Sequence, residues 1–141
     1  MQVFIVGTPL ETAKALDGRR LQKQIVECQQ ILAALNGAKA WSNHPCVLQY
    51  KGHERWLLNY MYCLMGYIQG DLLFALNSNN NCSKLVPNFH TQEYFDQMKR
   101  RLYTKNKEHY SQWAHLGESD VNWYFVDGEW RKYINGKRIE L

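Results

Sequence analysis

Arg20, Lys23, Gln24 and Glu27 lie within the stretch LDGRRLQKQIVECQQIL, residues 16–32. On a helix, residues three and four apart are neighbours, so these four fall along one flank. The row holds two cations, an amide and a single carboxylate. Cations in such a row can clamp phosphates. A lone carboxylate beside them can act as a general acid/base or stabilise a positively charged transition state. The same spacing also describes an ordinary surface row, in which Lys23 and Glu27 form an i,i+4 ion pair that contributes little. Spacing alone leaves both readings open.

The densest basic cluster is Lys99, Arg100, Arg101, Lys105 and Lys107, met by one nearby acid, Glu108. Tyr94, Tyr103, Tyr110 and Trp113 interleave it. Cations track phosphates and aromatic faces stack bases, so this is a candidate nucleic-acid flank. It is equally a solvated helix face beside core aromatics. His44 and His90 each stand at the start of an element, where a histidine caps a helix, binds a phosphate or moves a proton.

No glycine-rich phosphate loop, Ser-His-Asp order or paired-cysteine metal signature is present. Cys28, Cys46, Cys63 and Cys82 follow no CxxC spacing and read as reduced thiols, and no zinc site is expected. A free α-amine at Met1 remains as a further nucleophile, because an unprotonated amine attacks electrophilic carbon. The motifs call for no cofactor and no metal.

The elements that must position these groups can be read from period and punctuation. With 141 residues, 45% of them apolar, one folded domain with a real core is expected. The net charge of +4 suits a phosphate-bearing partner. Val3–Val6 reads as a short strand or an extended buried lead-in. Thr8-Pro9-Leu10-Glu11 is a capping box with proline in the first turn. The helix it opens runs toward Leu35, with Asp17-Gly18 as a potential break and Asn36-Gly37 as its stop. Leu21, Ile25, Cys28, Leu32 and Leu35 form its apolar stripe.

A second start at His44-Pro45 leads into a long, largely buried helix ending near Gly70. A short helix over 72–76, a polar loop over 77–83 and helices over 91–102 and 107–116 follow. The tail switches to period two. NWYFV, EWRKYI and KRIEL are separated by Asp127-Gly128 and Asn135-Gly136, both two-residue hairpin turns. The expected fold is mainly α: a compact helical bundle over residues 1–117 with a small antiparallel β-meander over 118–141 packed on it. No run approaches the length of a membrane span, and MQVFIVG lacks the basic start of a signal peptide, so a cytoplasmic location is expected.

Several blocks carry a resemblance. LDGRRLQKQIVE, then NHP and YKGHERWLLNY, then FHTQ and KRRLYTKNKEHYSQW, resemble in order the pyrimidine-dimer DNA glycosylase family over roughly residues 1–116. The meander does not share in it. The resemblance implies a mostly helical fold with the N-terminus near a glutamate on the first long helix. It implies N-glycosidic cleavage of damaged pyrimidine nucleotides. In that chemistry the N-terminal α-amine attacks the sugar C1′, a Schiff base forms, and β-elimination nicks the strand. By motif, the glutamate is Glu27 and the amine belongs to Met1. Arg20, Lys23 and Gln24 are carried as the phosphate-binding flank, and His44, His90, Arg100 and Arg101 as DNA contacts. The implied partner is damaged DNA. The alternative is a non-catalytic scaffold that holds a nucleotide, for example a small signalling nucleotide. Aromatic edge strands in the meander would allow self-association.

Overall fold

The first residues set up everything that follows. In the computed structural model, which describes residues 1–140, Val3, Phe4, Ile5 and Val6 form an extended, buried lead-in that joins no sheet. Buried backbone N–H groups still need acceptors, and here side chains supply them. Gln2 N–H donates to Glu27 Oε2 (3.3 Å), Phe4 N–H to Gln24 Oε1 (2.9 Å) and Val6 N–H to Thr12 Oγ1 (3.1 Å). On the carbonyl side, Gln24 Nε2 donates to Gln2 O (2.8 Å) and the Tyr60 hydroxyl to Phe4 O (2.6 Å).

Helix α1 (Pro9–Ala15) begins at the expected capping box, with Thr8 and Glu11 satisfying each other's backbone N–H. Leu16 leaves helical geometry, and α2 (Gly18–Leu35) starts afresh after Asp17. Gly37, at φ 105°, lies just beyond its end. The buried face of α2 comprises Leu21, Gln24, Glu27, Cys28, Ile31 and Ala34. Ile25, Leu32 and Leu35 of the expected stripe are only half-buried. The helix is turned toward the lead-in, whose peptide groups take the polar side chains of α2 as partners.

The expected long second helix is two helices. His44 caps α3 (Pro45–Gln49) by accepting Cys46 N–H on Nδ1 at 3.1 Å. Gly52, at φ 88°, turns the chain before α4 (Glu54–Gln69). A left-handed backbone there suits glycine and breaks helical continuity. Trp56, Leu57, Tyr60 and Leu64 of α4 are among the most buried side chains, as expected for the central element.

The expected loop over 77–83 is instead the second half of α5 (Leu72–Ser83). Ser78 and Cys82 are buried, Asn79 Oδ1 accepts Leu10 N–H (3.0 Å) and Asn81 Nδ2 donates to Asn59 Oδ1 (3.1 Å). These tertiary partners override the turn preference of an asparagine run. Gly66 lets α5 approach α4 closely: a Cβ there would stand 3.0 Å from Ala75 N and 3.1 Å from Asp71 O.

Helix α6 (Gln92–Lys105) is capped by Thr91. The segment expected as a helix over 107–116 is a 3-10 helix, Ser111–Leu116. Strands β1 (Asn122–Val126), β2 (Glu129–Ile134) and β3 (Lys137–Ile139) form an antiparallel meander in the order β1-β2-β3. Val126 faces Glu129 and Ile134 faces Lys137 across the two turns. Asp127-Gly128 and Asn135-Gly136 all have positive φ, the type I′ geometry those dipeptides favour. Leu141, the last residue of the expected third strand, lies outside the described residues.

The meander rests on the helices through β1 and through Trp130 of β2, which stacks on Tyr94 of α6 at 5.3 Å. Phe125 N–H donates to Gln49 Oε1 (2.7 Å), and the Phe125 ring stacks on Phe89 at 5.8 Å. Among the described residues no helix is long and apolar enough to cross a membrane.

Candidate active site

Gln24 is 2% exposed and Glu27 8%. The row that spacing alone left open is therefore split. Gln24 and Glu27 point inward to the lead-in, whereas the Lys23 side chain remains 71% exposed. All four hydrogen-bonding positions of the Gln24 amide are engaged. Oε1 accepts from Phe4 N–H and shares the single Tyr60 hydroxyl proton with Phe4 O, which is nearer to it (2.6 Å against 3.0 Å), and Nε2 donates to Gln2 O and Glu27 Oε2. Gln24 thus joins the N-terminal segment to the carboxylate, with no donor or acceptor left over for a ligand.

Glu27 Oε2 accepts from Gln2 N–H and Gln24 Nε2, both at 3.3 Å, and Oε1 faces Lys23 Nζ at 3.9 Å. The carboxylate stands in the wall of a cavity of about 230 Å³ that also takes in Met1, Arg19, Arg20, Lys23, Arg101, Lys105 and Asn122. Five cations surround one acid. Arg20 is partly neutralised by Asp17, whose Oδ1 and Oδ2 both lie 3.2 Å from it. Burial lowers the Lys105 ammonium from its ordinary value, and Arg101, Arg20 and Lys23 lower it further. Burial also lowers Arg101, which donates to Ser119 O at 3.3 Å and leaves Nε without a partner. The repulsion of Lys105 by Arg101, Arg20 and Lys23 is relieved when an anion enters.

The Met1 end is held on its carbonyl side by the Tyr124 hydroxyl at 2.7 Å. His44 lies beside it: its imidazole is lowered from the ordinary value, mainly by burial and then by the positive α-amine. The cysteines offer no competing nucleophile. Burial pushes Cys46 and Cys82 up to about 12, Cys63 up to about 11, and Cys28 well above its usual range. All four are free and buried. Among the described residues no group of three His, Cys, Asp or Glu side chains could hold a metal ion.

Of the residues singled out from sequence, Met1, Arg20, Lys23, Gln24, Glu27 and Arg101 meet at this cavity. His44 is near the Met1 α-amine but does not line the cavity. Arg100 points elsewhere, donating from Nε to Leu116 O at 3.0 Å. His90 lines a separate cleft of about 510 Å³ with Trp56, Phe95 and Lys99. There it shares a hydrogen bond of 2.9 Å with the Tyr50 hydroxyl, and burial holds its imidazole down at about 3. The one carboxylate of that larger cleft, Glu11, is committed to the α1 capping box. Tyr94 and Tyr110 are fully buried and so are closed to stacking on bases. Arg19, Lys105 and Asn122 complete the cavity. Lys105 belongs to the basic cluster over 99–107, and Arg19 adjoins Arg20 in the stretch over 16–32. Asn122 has no local signal, because its place is fixed by the way β1 returns to the N-terminus.

Residues 1–68 match the family model described as pyrimidine dimer DNA glycosylase. The match supports a pyrimidine dimer glycosylase function at the level of the family. It spans the lead-in, α1, α2, α3 and nearly all of α4. The pyrimidine dimer glycosylase match therefore includes Met1, Arg20, Lys23, Gln24, Glu27 and His44. The opposite wall, Arg101, Lys105 and Asn122, lies beyond it. No curated protein and no solved structure matches the chain.

Proposed function

We propose that the protein is a DNA glycosylase for damaged pyrimidines, with pyrimidine dimers as substrate, and that it also cleaves at the resulting abasic site. One observation carries this reading: the buried Glu27 carboxylate accepts a hydrogen bond from the peptide adjoining Met1, inside a cavity ringed by five cations. Met1 then supplies the nucleophile. Its unprotonated α-amine attacks C1′, the C1′–N bond breaks, and the base leaves with the bonding pair and takes up a proton. The sugar ring opens to an iminium. Loss of a C2′ proton then expels the 3′ phosphate and nicks the strand.

Glu27 stabilises the positive charge that develops at C1′ and exchanges protons with the amine and the opened sugar. Arg19, Arg20, Lys23, Arg101 and Lys105 hold the flanking phosphates. A damaged nucleotide is cheaper to extrude from the stack than an intact one, which favours lesions over ordinary pyrimidines. The helices and the meander act as one unit in this reading, since both furnish walls of the cavity.

The test is a duplex oligonucleotide carrying one cyclobutane pyrimidine dimer. Strand cleavage at the dimer, and none in the undamaged duplex, is expected. Intact dimer strands after prolonged incubation would overturn the glycosylase reading.

A further inference from the structure

Tyr124 lies in the meander, outside the matched residues, yet its hydroxyl reaches back 123 positions to donate to Met1 O at 2.7 Å. The side chain is 3% exposed and packs edge-on against His44 at 5.7 Å and against Tyr133 at 5.6 Å. The Met1–Gln2 peptide is planar, with its oxygen and its N–H on opposite edges. Glu27 grips the N–H edge and Tyr124 the oxygen edge. With both edges held, the α-amine is free to move only by rotation about the Met1 Cα–C bond. One torsion then decides whether it faces the cavity.

From this geometry we infer that Tyr124 is a positioning residue for the Met1 α-amine, so that the C-terminal meander builds the nucleophile's site. This rests on the proposed use of that amine. Removing the hydroxyl leaves the ring packing in place and releases one edge of the peptide. The amine then samples orientations away from the cavity, and the rate of imine formation falls while DNA affinity, set by the cations, does not.

The experiment compares Tyr124→Phe with the parent chain and with Tyr133→Phe, a matched loss of a meander hydroxyl. Two readouts are taken well below the melting midpoint. The first is the single-turnover rate of borohydride trapping on an abasic-site duplex, alongside the Kd for a duplex bearing an uncleavable tetrahydrofuran site. The second needs no DNA: the rate at which 2-deoxyribose 5-phosphate with cyanoborohydride labels Met1, assigned by peptide mass mapping. Tyr124→Phe is expected to slow both reactions at Met1 by about three- to tenfold with Kd unchanged, the size of one lost hydrogen bond. Tyr133→Phe is expected to match the parent. Equal Met1 labelling in Tyr124→Phe and the parent, or an equal slowing in Tyr133→Phe, would overturn the assignment. A parent chain that labels at Met1 but does not trap on DNA would count against the glycosylase reading and leave the positioning result standing by itself.

Discussion

Glu27 accepts a hydrogen bond from the backbone N–H of Gln2, 25 positions earlier, at 3.3 Å. This contact fixes the distance between the carboxylate and the first residue of the chain. It also gives Glu27 a structural partner in addition to any chemical role. Glu27→Gln keeps an oxygen able to accept from Gln2 and Gln24 while removing the charge. Strand cleavage is expected to fall by about 100- to 1000-fold, as for loss of one strong electrostatic stabiliser. The melting midpoint should stay close to that of the parent. Cleavage assays and thermal melts of the same preparation check both halves.

Gln24 acts on a different quantity. Its amide joins Phe4, Gln2, Tyr60 and Glu27 in one buried network. Gln24→Leu leaves the Phe4 N–H and Gln2 O without these partners in the core. Unmade buried hydrogen bonds are costly, so a loss of about 2–4 kcal/mol in unfolding free energy is expected. Chemical denaturation with an unchanged slope would confirm that the loss is one of stability.

The cations should be legible in salt dependence. Each phosphate contact contributes a slope of about −0.9 to log K against log salt on duplex DNA. Lys105→Ala is expected to flatten that slope by about one contact while weakening every duplex to a similar degree. Fluorescence anisotropy across a salt series measures it.

His90 gives a pH prediction with a definite sign. Its imidazole sits at about 3 in the folded protein against 6.5 for the free group. The unfolded chain therefore binds the proton first, so the neutral, folded form loses stability as pH falls from 6.5 toward 3. His44 and His53 are lowered too, mainly by burial, and add to the same trend. Between pH 6.5 and 4.5, before carboxylates dominate, the parent should become steadily less stable. His90→Asn should show a shallower decline. Urea midpoints over that window check the difference in slope.

What could be read from the sequence was local. The Thr8–Glu11 capping box and the Asp127-Gly128 and Asn135-Gly136 turns are decided by residues within a few positions of one another. The first half of α5 was legible as a short helix over 72–76, but its second half was not, because Asn79 and Asn81 are helical by virtue of partners in α1 and α4. The facing of α2 was not legible either. A hydropathy pattern places Gln24 and Glu27 outside, whereas a lead-in without sheet partners draws them in. Arg101 and Lys105 stood out as cations, but their convergence with α2 depends on how α6 packs. Tyr124 and Asn122 gave no signal at all, since their role comes from the return of β1 to the N-terminus.

The most direct measurement of the central claim is borohydride trapping of the parent chain on an abasic-site duplex, followed by peptide mass mapping of the cross-link. A single reduced adduct on the Met1 α-amine, strongly diminished in Glu27→Gln, is the expected result. Strand cleavage with no adduct, or an adduct on a lysine in place of Met1, would contradict it.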